Sequence, residues 1–249
     1  MSRPELIAIC GPNGSGKSSV YKARVESCDI ADRPFVNADE LLVRFRAKET
    51  IRFSDFGLTT SSAEDFNLTV EDHEFTGKIR SGGQTISLLA EGNPPYLRPD
   101  DSVSEYEAAI AADVFRQLLI REKVSFSFET VMSHPAKTDL LNQAGARGYR
   151  VILIFVCTNS AALNVDRVRR RVLEGGHDVP KDKIISRYYR AIQNLRGACA
   201  ASDEAILVDT TSDDGSFEVV AAKAHGVWTK LAPLPTWVTQ AFPDGLPDA

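Results

Sequence analysis

Eight residues constrain this chain more than any others: Gly11-Pro12-Asn13-Gly14-Ser15-Gly16-Lys17-Ser18. They stand between the apolar run Leu6-Ile7-Ala8-Ile9-Cys10 and the helix-compatible Ser19-Val20-Tyr21-Lys22-Ala23-Arg24. The spacing is G-x-x-x-x-G-K-S between a strand and a helix, the setting in which a loop wraps a phosphate. Its glycines permit turns closed to residues with a Cβ, so successive N–H groups can converge on one anion. The positive end of the following helix adds to that field. Lys17 is suited to the β- and γ-phosphates of a nucleotide, and the Ser18 hydroxyl to the shell of a Mg²⁺ ion. Residues Gly11 to Ser19 are therefore the predicted nucleotide-binding set.

A chain of 249 residues has length for one large domain with a sizeable core. Its hydrophobic fraction of 43% and charged fraction of 25% are those of an ordinary globular protein. A net charge of -5 argues against a surface that coats nucleic acid, yet is compatible with a local basic pocket for a small anion. The cysteines, Cys10, Cys28, Cys157 and Cys199, are scattered with no C-x-x-C pair, which predicts buried thiols in a reducing compartment. No leader separates Met1 from the first strand, and no stretch has the apolar length of a membrane span. The expectation is a cytoplasmic protein without a membrane partner.

Beyond the loop, Phe35-Val36-Asn37 reads as a short strand that places Asp39 at its carboxyl end, where open α/β sheets bind ligands. Capping of the next helix is the alternative role for Asp39. From Arg52 to Val103 periodicity fails and Ser, Thr, Gly and Pro dominate. This is read as an insertion with a strand or two, such as Gln84–Leu89, over the ligand edge, with a surface excursion of no functional role as the alternative. Order returns with a Ser104/Glu107 capping box and a helix to about Glu122. A strand over Val124–Phe128 closes at Glu129. Ser133 and Pro135 open a helix that stops at Gly145–Gly148, and Val151–Cys157 reads as a strand buried on both faces. Strands alternating with helices predict an α/β fold with a mostly parallel sheet and helices on both sides, the P-loop kinase architecture.

Residues 163–201 read as two helices joined at Gly175-Gly176, with Val165, Val168 and Val172 on one face and Arg167 and Arg171 on another. Arg187 and Arg190 stand on the second helix. Such a pair reads as a lid whose arginines neutralise a transferring phosphoryl group, with a solvated basic face as the alternative. Ala205–Val208 is read as the last sheet strand. A hairpin split by His225-Gly226 and a tail with a short helix near Trp237 complete residues 213–249.

Together these stretches resemble the zeta toxin family of P-loop kinases, in a form like the chromosomal subgroup described as predicted ATPases. The likeness is carried by Gly11–Ser18, Val36-Asn37-Ala38-Asp39-Glu40, Ser127-Phe128-Glu129-Thr130, the run from Arg167 to Pro180, and Ile185–Arg190 with Asn194-Leu195. It covers the first forty-odd residues and about 104–209, but not the insertion or the tail. Val131 stands where well-studied members carry a second threonine, and the Gly-Gly-His form of the lid differs from the classical toxins. The resemblance implies a single kinase domain spending ATP or GTP with Mg²⁺ to phosphorylate a sugar hydroxyl, with UDP-N-acetylglucosamine as the known kind of acceptor. It implies Lys17 and Ser18 on nucleotide and metal, Asp39 as the base, and Glu129 and Thr130 toward substrate or metal. Arg167, Arg171, Arg187 and Arg190 would serve the phosphate and His177 a substrate anion, with capping of the Gly-Gly hinge as the alternative role of His177. An antitoxin protein is the partner such toxins imply. Two alternatives stand beside this reading: a kinase of another metabolite or of a polynucleotide 5′-end, and a nucleotide-gated module without catalysis.

Overall fold

The computed structural model describes residues 3–27, 33–83, 85–99, 103–176, 178–212 and 214–247. Along the chain lie β1 (Glu5–Cys10), α1 (Lys17–Ser27), β2 (Phe35–Val36), α2 (Ala38–Arg46) and β3 (Ile51–Arg52). A 3-10 turn (Phe53–Phe56), α3 (Ala63–Glu71), α4 (Glu74–Ser81), β4 (Ala90–Glu91) and β5 (Tyr96–Leu97) follow. Next come α5 (Glu105–Glu122), β6 (Phe126–Thr130), α6 (Ala136–Ala146) and β7 (Arg150–Cys157). The chain ends with α7 (Ala161–Leu173), α8 (Lys181–Ala200), β8 (Glu204–Asp209), β9 (Glu218–Ala224), β10 (Val227–Lys230) and α9 (Thr236–Ala241).

Seven strands make one sheet in the order β10-β9-β8-β7-β1-β6-β2. β1 pairs parallel with β7, β7 with β8, and β2 with β6, as the alternation of strands and helices predicts. Leu6–Cys10 and Leu153–Cys157 are buried throughout, the mark of strands covered on both faces. The expected end of the sheet at Ala205–Val208 is corrected: β9 and β10 continue it antiparallel beyond β8. The reason is local. His225 (φ 52°) and Gly226 (φ 81°) both take positive φ, so the chain turns back in a tight two-residue hairpin.

The chain packs as two compact units, residues 1–32 with 129–249, and residues 33–128. The first holds β1, β7 to β10 and the helices α1 and α6 to α9. Cys10, Cys157 and Cys199 are buried there as free thiols, as read from the sequence, while Cys28 lies outside the described residues. Burial pushes the Cys199 thiol up to about 12 and that of Cys157 higher still, so neither is a nucleophile at neutral pH.

The second unit is built on α5. The Phe115 ring stacks on Phe56 at 4.5 Å between centroids and meets Phe53 and Phe66 at 5.3 Å each. Carboxylates near both ends of the helix fix loops. Glu107 accepts from the Ser87 and Leu88 N–H groups, and Glu122 from those of Thr59, Thr60 and Ser61. Asn67 pairs through its amide with both the N–H and the C=O of Ala90, standing in for a strand. The insertion is thus more regular than its sequence predicts. It carries α3, α4 and a small antiparallel sheet β3-β5-β4, and residues 85–89 are not a strand. Gln84 lies outside the described residues. These helices bury only Phe66, Val70, Thr76 and Ile79, too few positions to display a period. A capping box between Ser62 and Asp65 is the local signal for α3.

One helix start differs from expectation, and at another the alternative role of Asp39 is not taken up. α6 begins after Pro135 with no side-chain cap, so Ser133 does not open it. The cap of α2 is Asn37, whose side chain accepts the Asp39 N–H at 2.9 Å, which leaves the Asp39 carboxylate without a capping role.

Candidate functional site

β1 delivers the chain to Gly11, whose N–H donates to Thr130 O at the end of β6, 3.2 Å away. Gly11 has φ +146°, and a Cβ there would lie 2.0 Å from Val156 O. At Gly14, φ is +77° and a Cβ would lie 2.4 Å from Asn164 O at the start of α7. Neither position admits a side chain, so the loop is pressed between β7 and α7. Ser15 is fully buried, its N–H donates to Pro12 O, and its hydroxyl has no hydrogen-bond partner. A buried orphan hydroxyl in a phosphate-type loop is what a bound anion would complete. α1 then starts at Lys17 with no acidic residue in its first turn, so its positive end is not neutralised from within.

Lys17 is 7% exposed. Its Nζ donates to Pro12 O at 3.0 Å and lies 3.6 Å from Glu129 Oε1. The other oxygen of Glu129 accepts from the Ser18 hydroxyl at 3.1 Å. One carboxylate at the tip of β6 therefore joins the lysine and the serine that the loop motif singles out. Ser18 Oγ and Glu129 Oε2 are hard oxygen donors side by side, which is the donor chemistry Mg²⁺ takes. The residues present fit that ion.

The structure sorts the four arginines of residues 163–201. Arg167 Nη2 donates to Thr210 O at 2.7 Å and Ser212 O at 3.0 Å, so it holds the loop after β8. Arg187, on α8, lies 3.5 Å by Nη1 from Asn13 Oδ1 and so reaches the phosphate-type loop itself. Arg190 folds back on Ser186 of its own helix, and Arg171 is exposed on α7. Val165 and Val172 pack with Val168, Val179 and Ile184, so the apolar faces of α7 and α8 meet as their spacing predicts. His177 lies outside the described residues.

Several participants were not singled out from the sequence. The Thr210 hydroxyl sits 2.7 Å from Ser15 O and 3.1 Å from Cys157 O, bracing the loop from behind. Tyr188 donates to Thr158 O at 2.7 Å, and Thr158 donates to Asn164 Oδ1 at 2.5 Å, linking α8 to the residue against Gly14. Thr210 stands just past the carboxyl end of a parallel strand, the one signal that could have marked it. Thr130 contributes its carbonyl to Gly11. Asp39, exposed in the first turn of α2, belongs to the other unit.

Residues 99–214 match the zeta toxin family model. That stretch of the chain is similar to the zeta toxin family. The matched region holds Glu129, Thr130 and the four arginines; the loop Gly11–Ser18 and Asp39 lie before it. Among solved structures, this chain is similar to one in the AvrRxo1-ORF1:AvrRxo1-ORF2 complex with sulphate ions. Identity is 15% and the TM-score 0.55, over 93% of this chain and 62% of that one. The same complex with ATP gives 16% and 0.54, over 92% and 61%. A chain of the PezAT toxin–antitoxin system of Streptococcus pneumoniae gives 11% and 0.47, over 88% and 71%. The chain thus spans about three fifths of the length of the AvrRxo1 structures it matches. No curated protein matches it in sequence. What is shared with the AvrRxo1 structures is the fold.

Proposed function

We propose that this chain is a phosphotransferase that moves the γ-phosphoryl group of ATP or GTP to a hydroxyl of a small acceptor, a nucleotide sugar of the UDP-N-acetylglucosamine kind. The observation that carries the reading is the sharing of Glu129 by Lys17 and Ser18 beside a loop with an orphan buried hydroxyl. The ATP bound in the AvrRxo1 complex lends the nucleotide half further support. No described helix is long and apolar enough to cross a membrane.

Lys17 exchanges Pro12 O and Glu129 for phosphate oxygens, and the N-terminus of α1 supports the same negative charge. Ser18 and Glu129 would hold Mg²⁺, which when bound neutralises charge on the β- and γ-phosphates. Arg187 reaches the transferring group from α8, Arg171 joins it, and Arg167 keeps the loop 210–212 in place. Asp39 takes the proton of the acceptor hydroxyl as its oxygen bonds to phosphorus and the nucleoside diphosphate departs with the electrons of the broken P–O bond. Thr130 and His177 serve the acceptor, and the segment 52–103 selects it. Catalysis on this plan is positioning plus electrostatics. A protein partner, an antitoxin as the likeness to zeta toxins implies, belongs to the same proposal; the AvrRxo1 structures are themselves complexes of two gene products.

The test is incubation with γ-labelled ATP or GTP, Mg²⁺ and a panel of UDP-sugars. Label appearing on a sugar hydroxyl is the expected result. Hydrolysis that no acceptor alters, with no labelled sugar, would sink the proposal.

A further inference from the structure

We infer that Arg116 is a positioning residue for the acceptor-side base, fixing the turn between β2 and α2 on which Asp39 stands; this rests on the reading of Asp39 as that base. The turn is short and is held in part by its own cap. β2 is two residues long, and after it Asn37 caps α2 by accepting the Asp39 N–H at 2.9 Å on its side chain and the Leu41 N–H at 3.0 Å on its carbonyl. The group that anchors Val36, immediately before this cap, comes from α5. Arg116 Nη2 donates to Val36 O at 3.1 Å. Its Nη1 donates to Asp113 Oδ1 at 2.5 Å, and the guanidinium lies 4.8 Å from the centroid of Phe128, the residue paired with Val36 in the β2–β6 register.

Arg116 is 3% exposed on a helix face otherwise lined by Ala108, Ala112, Phe115 and Leu119. A buried guanidinium is costly, and an apolar residue of similar volume there would be no less stabilising. What an apolar residue could not do is hold a strand carbonyl and a carboxylate at fixed angles with one planar fork. The fork is in turn oriented from the insertion. His73 Nδ1 accepts the Phe75 N–H at 3.2 Å as the cap of α4, which leaves Nε2 to carry the hydrogen and face Asp113 Oδ2 at 3.6 Å. A line of contacts therefore runs from the insertion, His73 to Asp113 to Arg116 to Val36 O, and ends two bonds of chain before the Asn37 cap. Residues whose sequence shows no functional motif thereby set the backbone from which Asp39 projects.

The experiment compares wild type with Arg116→Gln and Arg116→Lys, reading steady-state kinetics and amide hydrogen exchange. In Arg116→Gln, kcat is expected to fall roughly ten- to a hundredfold, the scale of a small misplacement of a reacting group, while the KM for nucleotide stays within about twofold. Exchange at the Asp39 and Leu41 amides should accelerate about tenfold, with Ala47 at the far end of α2 and Phe53 unchanged. Lysine, which keeps the charge and can reach one partner, should recover part of kcat. A merely structural role would instead lower the melting temperature and speed exchange at all four amides, with kcat per folded molecule preserved; that result overturns the inference, as does unchanged exchange at Asp39 and Leu41. If Arg116→Gln does not fold, Asp113→Asn carries the same readings, since it loosens the fork without removing it. Were the wild type to transfer no phosphate at all, the kinase proposal would fall, and selective exchange at Asp39 and Leu41 would still decide whether Arg116 fixes this turn.

Discussion

Asp39 and Gly14 illustrate how much single residues decide in this chain. Asn37, not Asp39, satisfies the first N–H groups of α2, so the exposed Asp39 carboxylate is spared that duty. Asp39→Asn keeps shape and cap while removing the base. Transfer to the acceptor is expected to drop by about 10² to 10⁴-fold with the nucleotide dissociation constant unchanged, as calorimetry and a transfer assay would read side by side. Equal loss of both would move Asp39 out of the base role. Gly14→Ala acts differently, since a methyl group at φ +77° would press on Asn164 O at 2.4 Å. Backbone strain of about 1–3 kcal/mol should follow, with nucleotide binding lost before the fold is. At this scale the loop was readable from sequence because its chemistry is local: eight consecutive residues supply the turn geometry and the lysine. The partners of Arg167 were not readable, because they are backbone carbonyls at Thr210 and Ser212, and a carbonyl leaves no mark on residue type.

Among the elements, α5 does most for the second unit. Its start is legible in the Ser104/Glu107 box, but the loops it fixes are not. Burial alone would raise the pKa of Glu122, yet hydrogen bonds from Ser61, Thr59 and Thr60 outweigh it and hold the carboxyl below its ordinary value of 4.5. Glu107 is held low in the same way by Ser104 and Ser87. A folded pKa below the unfolded one means that the unfolded chain binds the extra proton. The stability from these carboxylates is therefore complete above the ordinary carboxylate range and is lost as pH falls through their folded values. Denaturant titrations from pH 7 downward should show stability declining once pH passes below about 4.5. Glu122→Gln should cost about 1–3 kcal/mol at neutral pH and flatten that decline. A decline equally steep in Glu122→Gln would show that other groups carry it.

For the molecule as a whole, chain ends matter as much as motifs. The first compact unit takes residues 1–32 from one end and 129–249 from the other, and α9 closes it with Trp237, which is wholly buried. Its indole N–H donates to Asp209 Oδ2 at 2.7 Å, and the next residue, Thr210, braces Ser15. Trp237→Ala should therefore cost about 3–5 kcal/mol, on the order of 10 °C in melting temperature, and weaken nucleotide binding although the site is not touched directly. A melting shift without any change in binding would separate the tail from the loop. The sequence by itself determined the α/β class, the parallel core strands, the phosphate-type loop and the helix starts that carry their own caps. Each of those rests on residues within a few positions of one another, where period, turn chemistry and charge act directly. Only the tertiary structure decided which arginine reaches Asn13, which holds a loop, and that Thr210 supports Ser15 from 195 positions away. Such pairs meet because of the path of the whole chain, and no local spacing encodes that path.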